Sequence, residues 1–359
     1  MIKYERMSSM MNVNPFTLSF GQEPKMLIHN VNQFDEIKNS FSSPNPVSST
    51  YLITGVRGSG KTVLLSCLAK YFEKQDDWIV VELNPETDML EYLASSLYEQ
   101  ANLKIKFLKK EFSFSFHGIS FSVSGNEPVS NVVTFLERLL GYLAKKDKRI
   151  LVCVDDVSST PFMKVFALQF QIFIRKNFPL FLLMSGLFEN VRNLLNKKSL
   201  TFLYRAMQIH VSPLGLVNIA ESFVSTLGVN RDVAISMAQL TKGYAFAYQA
   251  LGYIMFESGK KEVDDAILES FDRYLRDYVY EKIYYDLPTT EKKIVNALAS
   301  SQTGDIAEMM QELNIPRESM SQYRDKLLKK GIIAKAGWGV IDFALPRFRE
   351  YVLLMKEFY

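Results

Sequence analysis

The octapeptide Gly55-Val-Arg-Gly-Ser-Gly-Lys-Thr62 constrains this chain more than any other feature, because it fits the phosphate-binding pattern GxxxxGK[ST]. Its glycines allow a tight turn that directs several backbone N–H groups toward one anion. Lys61 can reach the β- and γ-phosphates of a nucleotide, and the Thr62 hydroxyl is suited to ligate Mg²⁺. We therefore predict binding of ATP or ADP with Mg²⁺. The predicted cofactor-binding residues of this loop are Gly55, Val56, Arg57, Gly58, Ser59, Gly60, Lys61, Thr62 and Val63.

The sequence on either side of this loop supports the same interpretation. Residues 50–54 read as a buried strand that leads into the loop, and residues 63–71 read as a helix that leads out of it. The phosphates would then lie at the positive N-terminal end of that helix. The alternative is a glycine turn between a strand and a helix that binds no ligand.

The second motif is a pair of acidic residues that follows the apolar strand predicted at residues 149–154. Asp155 at its carboxyl end is expected to hold Mg²⁺ opposite Thr62, and Asp156 to orient and deprotonate the attacking water. Aspartate is shorter than glutamate by one bond, about 1.5 Å. Because a misplacement of ~1 Å can cost ~100-fold in rate, we predict slow turnover. The alternative is two acidic residues in an ordinary loop.

Two further residues are candidates for catalysis. Ser185 follows the apolar residues 180–184 and could sense the γ-phosphate or the attacking water, although serine before glycine is common in loops. Arg205 precedes the strand predicted at 207–211 and is the candidate arginine finger, supplied to a neighbouring subunit. An exposed arginine held in a salt bridge is the competing interpretation of Arg205.

Composition limits the compartment and the partners. The net charge of +3 over 359 residues is too small to argue for nucleic acid by itself. The two cysteines, Cys67 and Cys153, lie in apolar stretches and suit a reducing compartment. The strongest apolar run, residues 178–188, is much shorter than the ~20 residues of a membrane span. We expect a cytoplasmic protein without a membrane segment.

The order of predicted elements indicates an α/β fold in three parts. Apolar strands at 50–54, 78–83, 149–154, 180–184 and 207–211 alternate with helices, which is typical of a five-stranded parallel sheet covered on both faces. The predicted domains are a P-loop core at 1–213, a helical lid at 214–286 and a winged helix-turn-helix at 287–359. Residues 111–124 alternate phenylalanine and serine, which predicts a β-hairpin with one apolar face. That face could serve core packing, contact with a partner or the stacking of bases.

The C-terminal part reads as three helices, two short strands around residues 337–339 and a closing helix, the order of a winged helix-turn-helix. In its third helix, Arg317, Ser321, Gln322 and Lys326 are expected to point outward, toward a DNA major groove if DNA is bound. From residue 290 onward the chain carries eleven basic and nine acidic side chains. Double-stranded DNA and a protein partner therefore both remain open.

Together these motifs resemble the origin-recognition-like and STAND branches of the AAA+ ATPases, the archaeal-type ATPases. The matching segments are the P-loop, Val154-Asp-Asp-Val157, the strand ending at Ser185, Leu203-Tyr-Arg-Ala206 and Gly243-Tyr-Ala-Phe-Ala247. The last resembles the family's GxP motif at the start of a lid helix, with Ala245 in place of proline. The family's usual Gly-Arg pair falls at His29-Asn30.

The resemblance implies an ATPase whose lid folds over the nucleotide and senses its state. It also implies adenine contacts by Leu27, Ile28 and His29, and a homo-oligomer in which Arg205 completes a neighbouring site. The predicted function is thus a slow Mg²⁺-dependent ATPase acting as a switch coupled to DNA or protein binding. The alternative is a regulator or interaction module that binds nucleotide without hydrolysing it.

Overall fold

One part of the chain is built on a five-stranded sheet whose middle strands are almost wholly buried and apolar. In this computed structural model, residues 13–19, 28, 31–100, 114–116, 119–121 and 131–358 are described. The strands of the sheet are β1 Thr50–Thr54, β2 Trp78–Glu82, β5 Arg149–Val154, β6 Leu180–Gly186 and β7 Met207–His210. Two short antiparallel strands, β3 Phe114–Phe116 and β4 Ile119–Phe121, lie inside the predicted hairpin, and the rest of that segment lies outside the described residues.

The sheet is parallel throughout and has the strand order β2-β5-β6-β1-β7. Strands β1 and β6 are buried along their whole length, as expected for central strands covered on both faces. This order makes β5 and β6 neighbours, with Val154 beside Met184. The carboxyl end of β5, where Asp155 follows, therefore lies beside Ser185 of β6.

Helices cover both faces of this sheet. The helices of this part of the chain are α1 Val31–Ser42, α2 Lys61–Glu73, α3 Met89–Gln100, α4 Val132–Ala144, α5 Pro161–Arg175 and α6 Phe188–Leu195. One hydrophobic core contains Phe41 of α1 and Phe72 of α2, and the other contains Leu93 of α3 and Phe166 of α5. The predicted five-stranded parallel α/β architecture is thus confirmed.

The backbone divides into two compact units. The sheet and its helices belong to one unit, residues 31–55 and 61–211. The other unit contains the described residues up to 28, residues 56–60 of the P-loop, and residues 212–358.

The second unit is mainly helical. Its helices before residue 287 are α7 Leu216–Leu227, α8 Arg231–Thr241, α9 Ala245–Ser258, α10 Asp265–Leu275 and α11 Glu281–Tyr285. They are followed by α12 Thr289–Ser300, α13 Ile306–Leu313, α14 Arg317–Lys329, β8 Ile333–Gly337, β9 Val340–Phe343 and α15 Phe348–Phe358. The elements from α12 onward are thus three helices, an antiparallel strand pair and a closing helix. This is the order expected for a winged helix-turn-helix.

The segments on either side of residue 287 share one hydrophobic core. The hydroxyl of Tyr280 donates to the carbonyl of Pro346, and Arg347 Nε lies 2.7 Å from Asp272 Oδ1. The described N-terminal residues join the same core, because the ring of Phe16 packs edge-on against that of Tyr248. In the part of the chain that the structure describes, every helix is too short or too polar to cross a lipid bilayer.

Candidate nucleotide-binding site

The P-loop forms a tight turn that requires glycine at two positions. The N–H of Ser59 donates to the carbonyl of Val56 at 3.2 Å, closing a four-residue turn. Gly58 has φ +76° and Gly60 has φ +95°, values that other residues adopt only with strain. Helix α2 then begins at Lys61, so the N-terminal amides that have no partner within the helix itself follow the loop directly. This is the backbone arrangement that the phosphate-binding motif predicts.

Within the sheet unit, the structure brings together Thr62 and Asp155, the two residues predicted to hold Mg²⁺. Its Oδ2 accepts a hydrogen bond of 2.8 Å from the Thr62 hydroxyl, although the two residues are 93 positions apart. Its Oδ1 accepts a hydrogen bond from the hydroxyl of Ser185, which is fully buried at the end of β6. The carboxylate of Asp155 is thus oriented from two sides by residues of α2 and β6.

The oxygens of Thr62 and Asp155 fit a magnesium ion. Mg²⁺ in nucleotide sites is usually held by one or two protein oxygens together with phosphate oxygens and waters. Among the described residues, no cluster of three or more histidine, cysteine, aspartate or glutamate side chains offers a separate metal site. Two protein oxygens leave the other coordination positions of such an ion to phosphate oxygens and waters.

Asp156 is presented differently from its neighbour. It is exposed and has φ +49°, a left-handed conformation that aspartate and asparagine tolerate better than other side chains. Within the described residues its carboxylate accepts no hydrogen bond. Asp156 is therefore open to solvent, but no neighbouring side chain fixes its direction.

The remaining predicted site residues do not join this cluster. Arg205 ends the 3₁₀-helix Lys198–Arg205 and is exposed, and its guanidinium forms no ion pair or hydrogen bond within the described residues. The salt bridge that the competing interpretation requires for Arg205 is therefore not present among the described residues. Ile28 is half-buried against the core of the helical unit. Leu27 and His29, the other predicted adenine contacts, lie outside the described residues.

Two side chains beside these motifs were missed by sequence reasoning. His210 in β7 lies with its Nδ1 3.4 Å from Thr54 Oγ1, and desolvation of its ring together with the charge of Lys61 lowers its pKa. The hydroxyl of Tyr244 donates to the carbonyl of Arg57 in the P-loop. No motif marks His210. Tyr244, in contrast, is the second residue of the GxP-like motif, between Gly243 and Ala245.

The predicted DNA-facing residues lie mostly on the surface of α14. Arg317, Ser321 and Gln322 are exposed. Lys326 is half-buried, and its ammonium lies 5.4 Å from the centre of the Tyr323 ring. Trp338, between β8 and β9, is completely exposed.

Part of the sheet unit matches a known family model. Residues 30–169 match a family model described as an AAA ATPase domain, and this range includes the P-loop, Asp155 and Asp156. This part of the chain, about two fifths of its length, is thus similar to an AAA ATPase domain. Residues 277–352 match a second model, described as a domain of unknown function. No curated protein sequence matches this chain significantly.

Solved structures show the same fold. The Walker-type ATPase of Pyrococcus abyssi superposes with a TM-score of 0.63 at 15% identity, covering 94% of this chain and 99% of the other. The ORC2 protein of Aeropyrum pernix in its ADPNP–ADP complexes gives a TM-score of 0.51 at 12% identity, covering 87% and 89% of the two chains. At such low identities the likeness concerns the fold alone, and it confirms the predicted AAA+-like P-loop fold.

Proposed function

We propose that this AAA+ chain binds MgATP at residues 55–63, hydrolyses it slowly, and uses the nucleotide state to control binding of a partner at residues 287–359. In this proposal Lys61 neutralises the β- and γ-phosphates, Thr62 and Asp155 hold Mg²⁺, and Asp156 activates water. Arg205 of a second copy would complete the site. Ser185 would act by orienting Asp155.

The observation that carries this proposal is the contact between Thr62 and Asp155. The two oxygens lie 2.8 Å apart, as they would if both bound one small ion. The turn closed by Ser59 and Val56, with its two left-handed glycines, adds the amide cradle that a phosphate needs.

Slow turnover is supported by the surroundings of Asp156. A general base must be held within hydrogen-bond reach of its water, and it commonly contributes 10²–10⁴-fold in rate. The exposed carboxylate of Asp156 has no orienting partner among the described residues. The same observation favours the alternative function, a module that keeps its nucleotide without turnover.

The experiment that separates these functions compares wild type with Asp156→Asn under saturating MgATP. Asparagine keeps the size of the side chain and tolerates the left-handed backbone. We expect unchanged ATP affinity and a loss of turnover of at least ~100-fold. Turnover equal to that of wild type would refute the catalytic assignment. Wild type that copurifies with ADP and shows no turnover would support the non-hydrolysing alternative.

The partner proposed for the C-terminal module is double-stranded DNA. The exposed side chains of Arg317, Ser321 and Gln322 lie on the helix that a winged helix-turn-helix places in the major groove. Because the helices before and after residue 287 share one core, a movement of the lid would be transmitted to this surface. A protein partner is the competing outcome, since acidic side chains nearly balance the basic ones.

The proposal also includes a cytoplasmic location and assembly into a homo-oligomer. Cys67 and Cys153 are both buried thiols that are not joined in a disulfide, as in proteins of a reducing cytoplasm. Assembly into a homo-oligomer is required if Arg205 acts on a neighbouring subunit.

A further inference from the structure

The first residues of helix α9 hold the P-loop by two hydrogen bonds. The hydroxyl of Tyr244 donates to the carbonyl of Arg57, and the backbone N–H of Phe246 donates to the carbonyl of Gly58 at 3.0 Å. Tyr244 is the N-cap residue of α9, and Phe246 lies in its first turn. The amide of Phe246 is one of the helix-end donors that find no partner within their own helix. Two consecutive carbonyls of the P-loop thus have donors from the same helix start.

These bonds fix the direction of an amide that a phosphate would use. Arg57 and Gly58 are the middle residues of the turn closed between Ser59 and Val56, and φ +76° at Gly58 is typical of a type II turn. In a trans peptide the C=O and the N–H point in opposite directions. A donor bound to the carbonyl of Arg57 therefore holds the N–H of Gly58 toward the other side. Within the described residues that N–H has no hydrogen-bond partner.

The approach is too close for any residue other than glycine at position 58. A Cβ there would lie 2.3 Å from the hydroxyl oxygen of Tyr244 and 3.0 Å from the Cβ of Phe246. The positive φ of Gly58 and this contact impose the same requirement independently. Gly58 is therefore needed for contact with α9 as well as for the shape of the loop.

The position of Tyr244 is itself fixed. Gly243, which precedes it, has φ +74°, and a Cβ there would lie 2.6 Å from the carbonyl oxygen of Leu214. The N–H of Leu214 also donates to the carbonyl of Gly243 at 2.8 Å. Burial raises the pKa of the Tyr244 hydroxyl, so it remains a protonated donor across the physiological range.

We infer that Tyr244 is a positioning residue for the nucleotide: its hydroxyl holds the Arg57–Gly58 peptide so that the Gly58 amide faces the bound phosphate. This inference rests on the proposed binding of ATP at the P-loop. It makes the start of α9 an energetic link between nucleotide and lid, through the P-loop backbone. By reciprocity, a nucleotide that fixes this peptide stabilises the contact with α9.

The test compares Tyr244→Phe with Tyr248→Phe. Tyr248 lies one turn later in the same helix, and its hydroxyl also forms a buried hydrogen bond, 2.5 Å from Ser222 Oγ. Both variants lose a buried hydroxyl, so both are expected to lower the melting temperature. Only Tyr244→Phe should weaken MgATP binding, by about tenfold, because it leaves the Arg57 carbonyl unpaired and the Gly58 amide unfixed. Titration of each folded variant with MgATP in a calorimeter measures this difference.

Equal ATP affinity of Tyr244→Phe and wild type would overturn the inference while leaving the proposed function intact. Loss of ATP binding in wild type itself would instead refute the proposed function. If Tyr244→Phe does not fold, amide hydrogen exchange of the wild-type protein tests the role of Tyr244 instead. The amide of Phe246 should exchange at least severalfold more slowly with MgATP than without it, and an unchanged rate would count against the role of Tyr244.

Discussion

The hydroxyl of Ser185 and the carboxylate of Asp155 form a hydrogen bond between the carboxyl ends of two adjacent strands. The strand order places them side by side, although 30 residues separate them in the chain. Ser185 is fully buried, so its hydroxyl acts on Asp155 and not on solvent.

Ser185→Ala should weaken magnesium-dependent turnover by altering the orientation of Asp155. A hydrogen bond to a charged group contributes about 1.5–3 kcal/mol, and 1.4 kcal/mol corresponds to tenfold. We expect the Mg²⁺ concentration for half-maximal ATP hydrolysis to rise at least about tenfold. Ser158→Ala is the control, because Ser158 follows the same strand but donates to Glu86 at the surface. Equal magnesium dependence of the two variants would contradict this role of Ser185.

Asp156→Ala should destabilise the protein where Asp156→Asn does not. The left-handed backbone, φ +49°, costs alanine about 1 kcal/mol relative to residues such as asparagine that visit this region. Urea denaturation of both variants measures the free energy of unfolding. If alanine and asparagine give the same value, the left-handed conformation is not maintained in solution.

Arg205→Ala should lower turnover by about 10³-fold if the guanidinium acts on a neighbouring subunit. Mixing it with Asp156→Asn should then restore activity, because Arg205 of one variant completes the intact site of the other. Arg175→Ala serves as the control, since Arg175 is exposed at the end of α5. A mixture as inactive as its components would argue against catalysis between subunits.

Arg317→Ala should weaken DNA binding in a salt-dependent manner. Loss of one positive charge from the DNA interface is expected to reduce the magnitude of the slope of log affinity against log salt by about one. Gel shifts with duplex DNA at several salt concentrations measure this slope. Lys356→Ala is a control from the same module, because Lys356 lies on the closing helix and its ammonium donates to the hydroxyl of Ser300 at the end of α12. Binding that is indifferent to Arg317 would favour a protein partner for this surface.

The sheet could be predicted closely because buried parallel strands are continuous apolar runs. The predicted strands 50–54 and 149–154 agree with β1 and β5, and the other three differ by one or two residues at an end. Between residue 214 and residue 287 the chain forms helices, whose apolar residues follow the helical period. Local patterns are sufficient for such elements.

Contacts between distant residues could not be predicted in this way. The sequence pairs Thr62 with Asp155 through their motifs, but the hydrogen bond of Ser185 to Asp155 depends on the strand order. The hydroxyl of Tyr244 reaches Arg57 across 187 positions, and no local pattern marks that pair. The left-handed backbone of Asp156 is likewise a property of the folded loop.

The most direct test of the account is calorimetric titration of the purified chain with ATP, with and without Mg²⁺. Lys61→Ala removes the ammonium assigned to the phosphates, and Lys74→Ala removes an exposed lysine just after the end of the same helix as a control. We predict saturable, magnesium-dependent binding by wild type and Lys74→Ala, and none by Lys61→Ala. No saturable binding by folded wild type, or equal binding by all three proteins, would contradict the account.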